Sequence, residues 1–138
     1  MSEQQNIQLV QEAYASFGRR DIEELLGMMS NDIDWQFFGP KEIPMSGPRK
    51  GKPEVKKFFQ QVEESWNFER FEPREFVAQG DVVVALGYYS GTSKTAKRPF
   101  GCEWSHVFTV KNGKVTKFRE YTDTHNLLQS YAPQAARV

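Results

Sequence analysis

The sequence has one cysteine, two histidines, no excess charge of either sign and no long apolar run. The single Cys102 excludes an intrachain disulfide and fits a reducing compartment. Lys plus Arg and Asp plus Glu number 18 each, so no global field gathers nucleic acid or an anionic membrane. No stretch approaches the roughly 20 apolar residues of a membrane span. The opening "MSEQQNIQLV" lacks the basic start and apolar run of a secretory signal. His106 and His125 have no third ligand at metal-site spacing. Neither a phosphate-cradling glycine loop nor a nucleophile elbow is present. These absences predict a soluble, cytoplasmic protein with no cofactor, no metal, and no nucleic-acid or membrane partner.

Aromatic residues are plentiful: 11 Phe, 5 Tyr and 3 Trp in 138 residues, against 26% charged residues. That balance favours one globular domain over residues 1–138, with a deep apolar interior and room for an aromatic-lined cavity. Ile7, Val10, Tyr14 and Phe17 recur at helical spacing over residues 3–18, and Gly18 is a plausible stop. Asp21 with Glu24 forms a capping box for a short helix through Leu26. "DIDWQFF" (32–38) puts Ile33, Trp35 and Phe37 on one side of a strand. The proline- and glycine-rich stretch from Gly39 to Gly51 reads as a long loop, either a lid or a passive crossover. Pro53 then opens a helix with Val55, Phe58, Phe59 and Val62 on one face.

Four extended segments follow: "FERFEPREFVAQ", "DVVVALGYYSGTS", "RPFGCEWSHVFTV" and "KVTKFREYTD". Pro73 suits a sheet edge or a bulge. "THNLLQSY" reads as a short helix capped by Asp123. The order predicts an α+β fold, with helices packed on one face of a curved antiparallel sheet.

The last hairpin, "HVFTVKNGKVTKFREYTD" (106–123), holds the question of function. A two-residue Asn112-Gly113 turn would pair Val110 with Val115 and set His106 opposite Arg119. A three-residue loop, with Gly113 left-handed, would pair Val110 with Lys114, His106 with Phe118 and Trp104 with Glu120. One residue of slip exchanges the two faces of a strand. The first closure buries Lys117 and Arg119 beside Trp104 and Phe108. The second buries one Glu instead and leaves Arg119 near Glu103 outside. A carboxyl can shed its charge by taking a proton, so the second costs less. The three-residue loop is therefore expected, with His106 and Glu120 as diagonal neighbours on one inner face. A carboxylate in such surroundings is costly to charge and suited to proton exchange. His106 could hold it charged or donate to a substrate oxygen. A buried structural pair is the alternative reading.

With "YASFGRRDIEELLGMMSNDIDW", "GPRKGKPEVKKFF" and the closing hairpin, the chain resembles the SnoaL-like and ketosteroid isomerase-like branch of the nuclear transport factor 2-like superfamily, over roughly residues 5–132. The resemblance implies a conical barrel, a strongly curved sheet wrapped around N-terminal helices with a pocket at its wide end. It implies a homodimer through the outer sheet face, where Val107, Thr109 and Tyr121 lie. The isomerases' base aspartate falls at Phe37, their donor on the penultimate long strand at His106, and their first-helix tyrosine at Ala13, beside Tyr14. The epoxide hydrolases' last-strand acid falls at Glu120, with its partners at Gly87 and Tyr89. The polyketide cyclases use a His and an Asp at the spacing of His106 and Glu120.

The resulting expectation is a cofactor-independent enzyme doing isomerase-, cyclase- or hydrolase-type acid–base chemistry on a small, apolar, oxygenated molecule. Glu120 and His106 would be catalytic. Tyr14, Trp35, Phe37, Phe58, Tyr89, Trp104 and Phe118 would bind substrate. The rival expectations are a non-catalytic carrier of hydrophobic ligands and a dimeric interaction module.

Overall fold

The computed structural model describes residues 2–131; the rest of the expected 1–138 domain, residues 1 and 132–138, lies outside the described residues. The chain runs α1 (Glu3–Gly18), α2 (Ile22–Gly27), β1 (Met29–Phe37), β2 (Gly47–Lys50), α3 (Lys52–Ser65), β3 (Trp66–Gln79), β4 (Val82–Ser93), β5 (Pro99–Lys111), β6 (Lys114–Thr122) and α4 (Thr124–Gln129). The six strands form one sheet in the order β2-β1-β6-β5-β4-β3. It curls around α1 and α3 as an unclosed cone, its edges being β2 and β3. The core gathers apolar side chains from every one of these layers, among them Val10, Ile33, Val55, Val83 and Val110.

Local signals account for most element ends. Ser2 and Gln5 cap α1 reciprocally, and Asp123 accepts from the Asn126 amide at 3.0 Å to start α4. Only half of the capping box expected at α2 forms. Asp21 accepts from the Glu24 amide, whereas the Glu24 carboxylate turns away to Arg19 and Ser16. Charge-assisted bonds to Arg19 outcompete the backbone amide it would have served.

Three expectations about the sheet need correction. It is not wholly antiparallel, because β1 lies parallel to β6, with Trp35 beside Phe118 and Phe37 beside Glu120. A long crossover separates the two strands in sequence, which permits the parallel pairing. The Gly39–Gly51 stretch is not all loop: Gly47–Lys50 pairs with β1. Within that stretch Ile43 and Met45 are fully buried in the core.

The third correction concerns β6. The hairpin closes through the two-residue turn, with Asn112 (φ 52°) and Gly113 (φ 74°) both left-handed and Val110 opposite Val115. The three-residue loop is therefore wrong. A bulge follows at once, so that Thr109 faces Lys117, Phe108 faces Phe118 and His106 faces Glu120 directly. Trp104 then faces Thr122. One extra residue restores the face assignment that the wrong turn was chosen to give, but slides the register by two. Lys117 and Arg119 stay outside. Arg119 does not turn to Glu103; it donates to the Asp34 carboxylate and backbone carbonyl, each at 3.1 Å. That hydrogen bond holds the Asp34 carboxyl below its usual value and ties β1 to β6.

Bulges also explain β3. Register shifts at Phe68/Arg70 and Pro73/Glu75 keep Trp66, Phe68, Phe71, Phe76 and Ala78 opposite inward-facing β4 positions. Pro73 thus marks both an edge strand and a bulge. On β4, Gly87 faces inward opposite Trp104, and an added Cβ there would lie 2.3 Å from the indole and 2.5 Å from the Glu72 carbonyl oxygen. The indole lies in the space a side chain would take. Gly87→Ala should therefore destabilise the fold by about 1–3 kcal/mol, the usual cost of overpacking. Urea unfolding checks this; an unchanged midpoint would show that Trp104 does not depend on that space.

Candidate functional site

His106 and Glu120 are each 5% exposed and face one another across β5 and β6. Trp104, two residues before His106 on the same face, lies flat on the imidazole at a 4.0 Å ring separation and 16°. Phe118, two residues before Glu120, meets the imidazole edge-on at 4.9 Å and stacks against Trp35 at 3.8 Å. Strand alternation alone supplies these four neighbours once the bulge is in place.

Two phenols complete the polar group. The Tyr14 hydroxyl lies 2.7 Å from His106 Nδ1, and among the described residues it has no other hydrogen-bond partner. Donation to Nδ1 would give the buried phenol proton a partner, and in a neutral imidazole that direction leaves the ring proton on Nε2. Nε2 comes within 3.4 Å of Glu120 Oε1 without hydrogen-bond alignment and has no hydrogen-bond partner among the described residues. From the other side, Tyr89 donates to Glu120 Oε2 at 2.9 Å, and its oxygen is also 2.9 Å from Thr122 Oγ1. Burial pushes both phenols well above their ordinary value of 10.0, and the nearby Glu120 carboxylate adds to it. Both thus stay protonated donors. The arrangement offers one carboxylate that can take a proton and one unpaired N–H that can bond a developing oxyanion.

An apolar chamber of about 70 Å³ reaches this group. Of the expected substrate-binding residues, Tyr14, Trp35, Phe58, Tyr89 and Phe118 line it, together with His106 and Glu120. Phe37 and Trp104 do not: Phe37 is buried toward Trp66, and Trp104 stands behind the imidazole. Tyr88 points outward, between Arg70 and Arg74. Sequence reasoning missed Phe17, Phe59, Phe68 and Phe71, which line the chamber and also a wider cleft of about 950 Å³ outside it. Phe17 and Phe59 sat on recognised helical stripes, but Phe68 and Phe71 are three apart in a strand, and only bulge geometry turns both inward. Among the described residues no group of three His, Cys, Asp or Glu could hold a metal ion, and no helix is long and apolar enough to cross a membrane.

A curled sheet around N-terminal helices, with polar groups meeting inside it, defines the nuclear transport factor 2-like class. The family model described as the SnoaL-like domain matches residues 10–118, and the chain belongs to that family. A crystal structure of a nuclear transport factor 2-like protein from Burkholderia xenovorans LB400 is 36% identical, with a TM-score of 0.88 over 96% of this chain and 99% of that one. TerC, co-crystallized with polyporic acid, is 30% identical, with a TM-score of 0.80 over 91% of this chain and 99% of that one. A protein from Rhodopseudomonas palustris, provisionally described as an isomerase, is 25% identical, with a TM-score of 0.77 over 94% and 97%. No curated protein matches the chain.

The two phenols make a pH prediction. A group whose folded value is raised contributes stability that is present below its unfolded value, about 10, and lost as pH rises toward the folded one. Tyr14 and Tyr89 should ionise only as the fold opens in alkali. Followed by ultraviolet difference absorbance, the abrupt alkaline step should shrink in the Tyr14→Phe/Tyr89→Phe variant. A step of undiminished size would place both phenols in contact with solvent.

Proposed function

We propose that the protein is a cofactor-independent enzyme that moves a proton on a small, apolar, oxygenated molecule, in the manner of an isomerase or cyclase. The observation that carries this reading is the Glu120 carboxyl facing a His106 Nε2 that has no hydrogen-bond partner among the described residues, in a chamber otherwise walled by aromatic and aliphatic side chains. Glu120 takes a proton from the substrate. His106 Nε2–H, its tautomer set by Tyr14, stabilises the oxygen on which negative charge develops. Tyr89 orients the carboxylate, and Trp35, Phe58 and Phe118 hold the apolar body. Excluding water strengthens each of these electrostatic contacts. The co-crystallization of TerC with polyporic acid supports a ligand that is oxygenated and ring-based, and the isomerase description of another relative supports proton-transfer chemistry.

Hydrolysis of an epoxide fits less well, since the positions of that triad's other members hold Gly87 and Tyr89. A carrier without chemistry is the rival that the same chamber allows. A panel of hydroxyquinones and cyclic enones, beginning with polyporic acid, separates the two when chromatography follows both binding and product. On a compound that is converted, Glu120→Gln should lower kcat by about 10²–10⁴, the usual contribution of general acid–base catalysis, and leave the fold intact. Full turnover in that variant sinks the catalytic role. Binding without conversion across the panel favours the carrier.

A further inference from the structure

The chamber beside His106 and Glu120 measures about 70 Å³, far below the roughly 300–1,000 Å³ of ordinary ligand pockets. The cleft outside it, about 950 Å³, falls within that range. A ligand of ordinary size that touches the imidazole and carboxylate therefore cannot lie wholly inside, and the remainder of it extends into the cleft. The two spaces share seven wall residues, all aromatic except Val62: Tyr14 and Phe17 of α1, Phe59 and Val62 of α3, and Trp66, Phe68 and Phe71 of β3. Phe17 stands among three of these rings, with separations of 5.0 Å to Phe71, 5.9 Å to Phe59 and 6.4 Å to Phe68. At these separations the rings, drawn from three separate elements, pack against one another as a closed collar, so a ligand that spans both spaces must push Phe17 aside.

The two sides of the collar differ in chemistry. Apart from His106, Glu120 and the two phenols, the chamber wall is apolar. The cleft wall carries Arg20, Lys56, Gln60, Glu63, Asn67 and Lys94. Several already bond one another: Lys94 donates to the Glu63 carbonyl, and Arg20 lies 3.5 Å from the Glu63 carboxylate. Lys56 pairs with the Glu23 carboxylate at 2.8 Å, and Glu63 and Glu64 add negative charge to the same wall, so the cleft suits a neutral hydrogen-bonding group better than a bare anion.

We infer that the ligand is elongated: one flat ring bearing an oxygen passes the Phe17 collar to reach His106 and Glu120, while its other end is polar and lies in the cleft. This rests on the reading of the chamber as the ligand site and adds to it a shape, a polarity and a specificity-determining residue. Phe17 touches the bound ring without taking part in proton transfer.

Isomeric probes test the shape with the chemistry held constant. In 4-phenylphenol the second ring trails behind the hydroxylated one; in 2-phenylphenol it lies alongside and cannot pass the collar. Calorimetric titration of the full chain should show the 4-isomer binding at least tenfold tighter. Phe17→Ala should reduce that ratio to about twofold, and Phe17→Leu, a milder change that keeps the helix stripe apolar, should give an intermediate ratio. 4,4′-Dihydroxybiphenyl, with a hydroxyl at its far end, should bind no more weakly than 4-phenylphenol. Ala13→Leu, which adds carbon to the chamber wall, should weaken every probe. Equal affinities for the two isomers, both weakened by Ala13→Leu, would overturn the shape requirement and leave the chamber as the ligand site. A tenfold loss for the dihydroxy probe would overturn the polar far end. Affinities indifferent to Ala13→Leu, or no binding of any probe, would overturn the chamber reading and this inference with it.

Discussion

Between the Asn112-Gly113 turn and Phe118, β6 carries one residue more than the β5 segment it faces, and the site depends on that bulge. Without it, strand alternation would turn Lys117 and Arg119 into the aromatic interior and Glu120 out to solvent. With it, Val115, Phe118 and Glu120 all face inward, and Arg119 is free to bind Asp34 on β1. The parallel β1–β6 pairing then sets Trp35 on Phe118 and closes the chamber wall. A single backbone irregularity thus positions both the carboxylate and the strand that shelters it. Bulges next to functional side chains commonly serve to re-aim them.

Burying a carboxylate and an imidazole is costly unless each is hydrogen-bonded, and here the partners come from outside the β5–β6 hairpin. Tyr14 arrives from α1 and Tyr89 from β4. Each occupies one atom of the pair, Nδ1 and Oε2, and so leaves the facing atoms, Nε2 and Oε1, for a ligand. Gly87 contributes by omission, since its missing side chain lets Trp104 lie flat against the imidazole. The phenols therefore orient the pair without consuming the groups that would do chemistry. Both remain protonated, because the interior opposes a phenolate beside Glu120.

Much of this was legible in the sequence. The helices, the inward side of β5, the role of Asp123 and the shared face of His106 and Glu120 followed from periodicity, capping chemistry and the cost of burying cations. The exact partner of His106 did not follow, because turn type and bulge were weighed as one choice when the chain uses both. Its signature was present: Val115 and Phe118 are three apart, a spacing that an unbroken strand cannot hold on one face. Phe68 and Phe71 carry the same mark on β3. The four-residue β2 strand, at a sheet edge with alternating partial burial, has too little pattern to stand out from the surrounding turns. The collar could not be read at all, since its rings meet only through tertiary packing of α1, α3 and β3.

In this arrangement Tyr14 fixes the imidazole with its Nε2 proton directed toward Glu120 and the chamber. Nitrogen NMR of ring-labelled histidine addresses it directly, because the chain has only two histidines and His125 is exposed on α4. The neutral His106 ring should show a single tautomer protonated on Nε2, with an Nδ1 resonance that moves in Tyr14→Phe. A proton found on Nδ1, or a ring spectrum indifferent to the loss of the Tyr14 hydroxyl, would contradict it.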